Sequence, residues 1–203
     1  MGVNRASFVR EAADVRRQSL IDATALCLAE RGATGTSVRA ICARAGVSSG
    51  LITHYFDGID ALIVATYRDV GQRVAEATER AVAAAGPMPR DRLEAYVLAS
   101  FVPPVLDVDL LATWVAFWSL VNGRADMAQA HAELYADYRA GLALHIQACA
   151  PKLSADRVRL AAIGIAALVD GLWLELCLDP TTFAPEEARA MTRQWIAYWV
   201  GSN

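Results

Sequence analysis

The segment SSGLITHY, residues 48–55, carries small and polar side chains where a surface helix usually carries lysine and glutamate. The hydroxyl group of Thr53 and the imidazole of His54 can hydrogen-bond to base edges in the major groove of DNA. Small residues such as Ser49 and Gly50 allow a helix backbone to approach a partner closely. The segment therefore has the chemistry of a short helix that binds another molecule, and nucleic acid is the first candidate.

A second set of side chains has the chemistry of a cation site. Its members are aromatic residues at helical spacing and one acidic residue: Trp114, Phe117, Trp118, Tyr135, Tyr138, Asp170 and Trp173. Aromatic faces attract a quaternary ammonium group, and a carboxylate supplies the counter-charge. An aromatic stripe at helical spacing is also the usual pattern of a hydrophobic core. Composition alone leaves both interpretations open.

Two short helices and a tight turn must position the first segment. We expect Thr36 or Ser37 to cap a helix that runs to Ala45. Gly46 can adopt the left-handed conformation that ends this helix and turns the chain. Ser48 is then expected to cap the next helix. This layout is that of a helix-turn-helix, whose second helix enters the major groove.

The spacing of apolar residues along the whole chain predicts an all-α fold of about nine helices, without strands. Glycine and proline residues separate most of these helices. We predict that residues 1–60 form a three-helix DNA-binding domain with the helix-turn-helix. Residues 61–203 are then a helical ligand-binding and dimerisation domain.

Charge is unevenly distributed along the chain. Residues 1–56 contain seven arginines and four acidic residues, whereas the whole chain has a net charge of −3. A basic segment on an acidic body favours binding of a polyanion at one end. Four arginines are candidates for a basic arm along the DNA backbone or in the minor groove: Arg5, Arg10, Arg16 and Arg17.

The segment TSVRAICARAGVSSGLITHYF, residues 36–56, with SLIDATALCLAERG before it, resembles the N-terminal domain of the TetR family of bacterial transcriptional regulators. The resemblance covers residues 16–70. It implies DNA contacts from nine residues: Ser37, Arg39, Ser48, Ser49, Gly50, Leu51, Thr53, His54 and Tyr55. One departure is Ile59, because the family usually has a phosphate-binding lysine there. Loss of one phosphate contact flattens the salt dependence of DNA binding by roughly one unit.

The last two predicted helices are unusually apolar. The chain is 55% hydrophobic with a mean hydropathy of +0.28, which suits either a membrane protein or a soluble oligomer. The longest apolar run, 160–169, is shorter than the roughly 20 residues that span a bilayer. We therefore predict a homodimer through the last two helices. A dimer also presents two reading helices to a pseudo-palindromic operator.

Four segments resemble the choline-responsive betaine-biosynthesis repressors within the TetR family: RRQSLIDAT, SSGLITHYF, TWVAFW and AALVDGLWLELCL. This resemblance implies a repressor that is released from DNA by choline or a related small cation. A polyamine and an uncharged or acidic metabolite remain alternatives, because inducers diverge quickly among close relatives.

The sequence gives little support for catalysis. An all-helical enzyme could use His131, His145, Asp170 and Glu175, but the sequence contains no metalloprotease, hydrolase, phosphate-loop or dinucleotide motif. The four cysteines, Cys27, Cys42, Cys149 and Cys177, are not at metal-ligand spacing. We expect reduced thiols in a cytoplasmic protein, with no metal and no cofactor.

Overall fold

The computed structural model describes the backbone of residues 5–201 and the side chains of residues 13–201. All regular structure within these residues is helical, which confirms the predicted fold class. The described part of the chain forms nine α-helices: α1 Arg5–Gly35, α2 Val38–Ala45, α3 Gly50–Tyr55, α4 Gly58–Ala84, α5 Pro89–Leu98, α6 Val108–Val121, α7 Ala125–Cys149, α8 Ala155–Leu178 and α9 Pro185–Val200. A 3-10 turn, Ala99–Phe101, follows α5.

The boundaries of α2 follow the local signals in the sequence. Ser37 precedes the helix with an extended backbone, and its Oγ accepts a hydrogen bond from the Ala40 amide at 3.3 Å. Gly46 ends the helix with φ of 66°, a conformation that glycine adopts without a steric penalty. The predicted cap and the predicted turn are therefore both confirmed.

The start of α3 differs from the prediction. The helix begins at Gly50, and its N-terminal boundary residue is Ser49 rather than Ser48. Ser49 already has helical dihedral angles and makes no capping bond through its side chain. The Leu51 amide donates to the Ser48 carbonyl at 3.1 Å, so the backbone supplies this first turn. The prediction that Ser48 caps α3 is wrong, because the chain enters the helix without a capping side chain.

The first three helices and the start of α4 enclose a small core. Its buried members come from all four helices and the residue after α3: Leu20, Ile21, Ala23, Cys27, Ile41, Cys42, Ile52, Phe56 and Leu62. Arg16 and Arg17 lie on the exposed surface of α1. The side chains of Arg5 and Arg10, also predicted to belong to a basic arm, lie outside the described residues.

The described chain forms two compact units. Unit 1 contains the residues up to Val70 together with Ala112–Ala130. Unit 2 contains Gly71–Leu111 and the residues from His131 onward. Most of α6 therefore belongs to the unit that carries the helix-turn-helix, although about fifty residues separate α3 from α6 in the chain. The predicted functional division at residues 60 and 61 stays a prediction.

Polar contacts attach α6 and the start of α7 to the rest of unit 1. Thr113 Oγ1 of α6 donates to the Ala25 carbonyl of α1 at 3.1 Å. Arg124, just before α7, binds Asp60 Oδ1 at 2.6 Å and the Asp60 carbonyl at 3.2 Å. The same guanidinium binds Asp126 and lowers the pKa of that carboxyl. The start of α4 is thus held to the α6–α7 corner.

The core of unit 2 is built around α8. Nine of its side chains are buried: Val158, Ala161, Ala162, Ile165, Ala166, Val169, Leu172, Trp173 and Leu176. By length and composition alone, α8 is the described helix that could cross a membrane, which the sequence analysis did not anticipate. Because its buried side chains pack within unit 2, we interpret α8 as a core helix with one uncovered face.

Candidate DNA-binding surface and cation site

Helix α3 divides its side chains between the core and the surface. Ile52 and Phe56 are buried, and Leu51 and Tyr55 are half-buried against the same core. Of the seven predicted DNA contacts within residues 48–55, five are exposed: Ser48, Ser49, Gly50, Thr53 and His54. Of the two neighbouring apolar residues Leu51 and Ile52, Ile52 is therefore the core residue.

The exposed face of α3 offers a small set of hydrogen-bonding groups. The Thr53 hydroxyl donates to the Gly50 carbonyl at 3.0 Å, which leaves its oxygen and its methyl group facing solvent. The His54 ring lies edge-on to the Tyr55 ring with 4.8 Å between centroids. Both side chains are therefore partly held in place before any partner binds.

Gly50 is not required by the fold. An added Cβ at this position would meet no atom within 4 Å, and Gly50 is not among the glycines with positive φ. Neither packing nor backbone conformation explains the missing side chain. A close approach by a partner from outside would explain it.

Two predicted contacts lie on α2 and its cap. Ser37 and Arg39 are both exposed. The Ser37 oxygen accepts from the Ala40 amide, so its hydroxyl proton remains available for a phosphate. Arg44 at the end of α2 is instead held by an ion pair to Glu30.

Ile59 cannot replace a phosphate-binding lysine. Its side chain is half-buried and packs against the core formed by α1–α4. The next residue, Asp60, is acidic and binds Arg124. The first turn of α4 therefore supplies no cationic side chain.

Part of the predicted cation site lies in unit 1. Trp114 and Phe117 of α6 are buried, and both rings contact Tyr67 of α4, with centroid distances of 5.6 Å and 4.6 Å. Tyr67 is fully buried, and Trp118 is half-buried. This arrangement is a packed aromatic cluster between α4 and α6.

The other part lies in unit 2, around Asp170 of α8. The Tyr135 hydroxyl of α7 donates to Asp170 Oδ1 at 3.0 Å. Burial raises the pKa of Asp170 to about 6, although the Tyr135 hydrogen bond and the positive charge of Arg139 act to lower it. Within the described residues no cationic side chain forms an ion pair with this carboxylate. A half-buried carboxylate with one neutral donor is a favourable place for a cation from outside.

Tyr138 adds a second polar atom to this part of unit 2. Its hydroxyl is buried and has no hydrogen-bond partner among the described residues. Its pKa is raised mainly by burial and further by the neighbouring Tyr96 and Asp170, while the Ser100 side chain acts to lower it. The Tyr138 ring stacks on Tyr96 of α5, with 5.6 Å between centroids. Trp173 donates through Nε1 to the Ser100 carbonyl at 2.8 Å.

The predicted ligand residues therefore form two groups. Unit 1 holds Trp114, Phe117 and Trp118, and unit 2 holds Tyr135, Tyr138, Asp170 and Trp173. A single pocket lined by all seven residues stays a prediction. We keep the name Asp170 cluster for Tyr135, Tyr138, Asp170 and Trp173.

Helices α8 and α9 share an exposed apolar face. It contains five large side chains: Leu160, Ile163, Met191, Trp195 and Tyr198. An added Cβ at Gly164 would lie 3.5 Å from Trp195 Nε1, so α9 crosses α8 closely beside Ile163. Ile196 of α9 is not part of this face, because it is fully buried within unit 2. We keep the name C-terminal face for the five exposed side chains.

Comparison with known protein families identifies the family of this chain. A model described as "Bacterial regulatory proteins, tetR family" matches residues 20–66. A model described as "BetI-type transcriptional repressor, C-terminal" matches residues 89–200. The chain belongs to the TetR family. The sequence resemblance to TetR regulators is confirmed, and the C-terminal part matches the BetI type.

Similar proteins agree with this assignment. The HTH-type transcriptional regulator BetI from Burkholderia mallei (strain NCTC 10229) is 37% identical over 191 residues, which cover 90% of this chain and 92% of that protein. A crystallised protein from Pseudomonas aeruginosa PAO1, described as a transcriptional regulator, is 40% identical with a TM-score of 0.83 over 91% of this chain and 90% of its own. A regulator from Saccharomonospora viridis, crystallised in complex with choline, is 20% identical with a TM-score of 0.74, covering 90% of this chain and 95% of its own.

A TetR-family protein with a BetI-type C-terminal part is a DNA-binding transcriptional repressor rather than an enzyme. The histidines considered for catalysis lie in aromatic surroundings in unit 2. His131 lies 4.2 Å from the Tyr135 ring and His145 lies 4.9 Å from the Tyr96 ring, measured between centroids. Burial lowers the pKa of both.

Two aromatic residues of these clusters were missed in the sequence. Tyr67 and Tyr96 each pack against a residue that the sequence did single out. Tyr96 is the one aromatic residue in the short α5 segment PRDRLEAYVL, so no helical stripe marks it. Only the approach of α5 to α7 could reveal it.

Proposed function

We propose that the protein is a cytoplasmic homodimeric repressor that reads a pseudo-palindromic operator through the exposed face of α3. In this proposal Ser49, Gly50, Thr53 and His54 face base edges, whereas Ser37, Arg39 and Tyr55 contact phosphates. Ser48 and Leu51 lie beside these groups and complete the contact surface. The observation that supports this most directly is Gly50, whose missing side chain serves nothing inside the protein.

A Gly50→Ala variant tests this proposal. We expect operator affinity to fall about tenfold or more, since one methyl group keeps the backbone away from the groove. Thermal stability should stay the same or rise, because alanine favours a helix over glycine by about 1 kcal/mol in the interior. Fluorescence anisotropy with operator DNA and a thermal melt measure the two quantities separately.

Gly123→Ala is the matched control, because Gly123 is also exposed and an added Cβ there also meets nothing within 4 Å. It should bind the operator as the wild type does. Unchanged operator binding by Gly50→Ala would mean that α3 does not approach DNA at this residue.

We further propose that a small cation, with choline or a choline-like ammonium favoured, binds at the Asp170 cluster and releases the repressor from DNA. The supporting observation is the Asp170 carboxylate, which is half-buried, hydrogen-bonded to Tyr135 and not ion-paired to any described side chain. Tyr138, whose pKa the charge of Asp170 helps to raise, supplies a buried hydroxyl in the same unit. The choline complex of the Saccharomonospora viridis regulator shows that one protein of this fold accepts such a ligand.

Two alternatives to choline are a polyamine and an uncharged or acidic metabolite. A polyamine would also pair with Asp170, but an uncharged or acidic metabolite would leave the half-buried carboxylate without a positive partner. The carboxylate therefore favours an amine over the other two classes.

Choline and its neutral carbon analogue 3,3-dimethylbutan-1-ol provide a direct test, because the two have nearly the same shape and differ in charge. We expect choline to raise the melting temperature at pH 7.5 and to release operator DNA, while the neutral analogue does neither. Equal effects of both compounds would assign the site to an uncharged ligand. A response to spermidine alone would assign it to a polyamine.

A further inference from the structure

The reading helix carries very little positive charge. The α3 sequence GLITHY contains no lysine or arginine. Phosphate contacts supply most of the affinity of a DNA-binding protein and fix its orientation on the duplex. The cations that hold α3 in the groove must therefore come from neighbouring elements.

Most of the cationic side chains considered near α3 already form ion pairs within the protein. Arg44 of α2 is paired with Glu30, and Arg124 is bound by Asp60 and Asp126. The first turn of α4 has Ile59 in the core and the acidic Asp60. Arg39 at the start of α2 remains exposed. The corner between α3 and α4 needs another cation.

Arg17 of α1 lies at this corner. Its guanidinium carbon lies 5.0 Å from the centroid of the Phe56 ring. Phe56 is the residue that ends α3, and its amide donates to the Ile52 carbonyl at 2.8 Å. Because Phe56 is only 8% exposed, its ring is a fixed platform in the core. The platform places the positive charge of Arg17 directly beside the end of the reading helix.

The charge of Arg17 is not neutralised within the described part of the chain. Arg17 is exposed, and no described carboxylate lies within ion-pair distance of it, although Asp14 and Asp57 are close in sequence to Arg17 and Phe56. An arginine whose aliphatic and planar parts are held on a ring keeps its N–H groups free for a phosphate oxygen. It also loses less side-chain entropy on binding than a mobile lysine.

We propose that Arg17, held over Phe56, is a DNA phosphate contact that compensates for the absence of a cationic side chain in the first turn of α4. This inference rests on the proposed function of DNA binding, and it singles out Arg17 from the four candidate arginines of the basic arm by its fixed position over Phe56. The contact is independent of base sequence, so it contributes equally to operator and to unrelated DNA.

The salt dependence of DNA binding tests the proposal. For Arg17→Gln, the slope of log affinity against log salt should become shallower by about 0.9 per subunit. The change should be the same on operator and on unrelated DNA. Arg17→Lys keeps the charge and should retain most of the wild-type slope. Arg80→Gln removes the same charge from an exposed arginine in the unit 2 part of α4 and should leave the slope unchanged.

Three results would overturn the proposal. An unchanged slope with a lower melting temperature would show that Arg17 only stabilises Phe56. An equal change of slope in Arg80→Gln would show an effect of total charge rather than a contact. A loss confined to operator DNA would assign Arg17 to base reading instead. Failure of the wild-type protein to bind any DNA would refute DNA binding itself, which is a different result.

Discussion

Ile163→Glu should convert the protein to a monomer and lower its operator affinity by a factor of 10² to 10⁴. Ile163 is 42% exposed on α8, beside the point where Trp195 of α9 crosses Gly164. If two subunits pack through the C-terminal face, Ile163 is buried between them. A carboxylate there loses its hydration without gaining a partner, which costs several kcal/mol in each subunit.

The loss of operator affinity follows from the loss of linkage between the two reading heads. In a dimer, binding of one head places the second head near its half-site at an effective concentration in the millimolar range. Two separate monomers must bind independently and lose this advantage. Sedimentation velocity and fluorescence anisotropy with the operator measure the two effects.

Leu144→Glu is the matched control for this variant. Leu144 is even more exposed than Ile163, at 74%, but it lies on α7 rather than on α8 or α9. It should leave both the dimer and operator binding unchanged. A dimeric Ile163→Glu protein that binds the operator normally would refute the C-terminal face as the interface. A monomeric variant with full operator affinity would refute the requirement for a dimer.

The helix-turn-helix could be predicted from sequence because its determinants are local. Ser37 caps α2 through a residue three positions away, and Gly46 takes a conformation that its own lack of a side chain permits. The start of α3 was predicted one residue too early, because a serine before a helix can contribute its backbone alone. Local chemistry therefore predicts the position of the turn well, but it predicts the first residue of the following helix less accurately.

The aromatic residues show what the sequence alone could not reveal. Helical spacing predicts that Trp114 and Phe117 share a face of α6, but it does not say that Tyr67 of α4 covers them. Tyr135 and Asp170 are 35 residues apart, and their hydrogen bond depends on how α7 packs against α8. The assignment of α6 to unit 1 and of the Asp170 cluster to unit 2 is likewise a property of tertiary packing.

Asp170→Asn should produce a repressor that is more stable without ligand and does not respond to choline. The expected gain in stability follows from the pKa of Asp170. Burial raises this pKa from 3.8 to about 6, so the folded protein binds the proton more tightly than the unfolded chain does. The stabilising contribution of the protonated carboxyl is complete below pH 3.8 and is lost as the pH rises through 6.

At pH 8 the ionised carboxylate therefore destabilises the ligand-free protein. A shift of this size corresponds to about 3 kcal/mol, and removal of the charge should raise the melting temperature by several degrees. The difference between variant and wild type should shrink as the pH falls toward 4. Glu175→Gln is the control on the same helix, because Glu175 is exposed and should change neither the melting curve nor the ligand response.

Choline binding should reverse the order of the melting temperatures of the wild type and Asp170→Asn. Choline neutralises the Asp170 charge in the wild type, so it should raise the melting temperature at pH 8 and have a smaller effect at pH 5, where the carboxyl is mostly protonated. In Asp170→Asn the cation has no counter-charge, so choline should shift neither the melting curve nor the operator affinity. Operator affinity without choline should stay within a few-fold of the wild type.

The melting temperature and the response to choline together distinguish a ligand-binding carboxylate from a structural one. If Asp170 served mainly to hold Tyr135, Asn would weaken that hydrogen bond and lower the melting temperature at pH 8. A normal response to choline in a stabilised variant would place the cation at another site. Only a carboxylate that is kept ionised and buried for an external cation predicts a rise in stability together with loss of the response. The uncompensated charge destabilises the free repressor, and its neutralisation by the cation then contributes to the free energy of ligand binding.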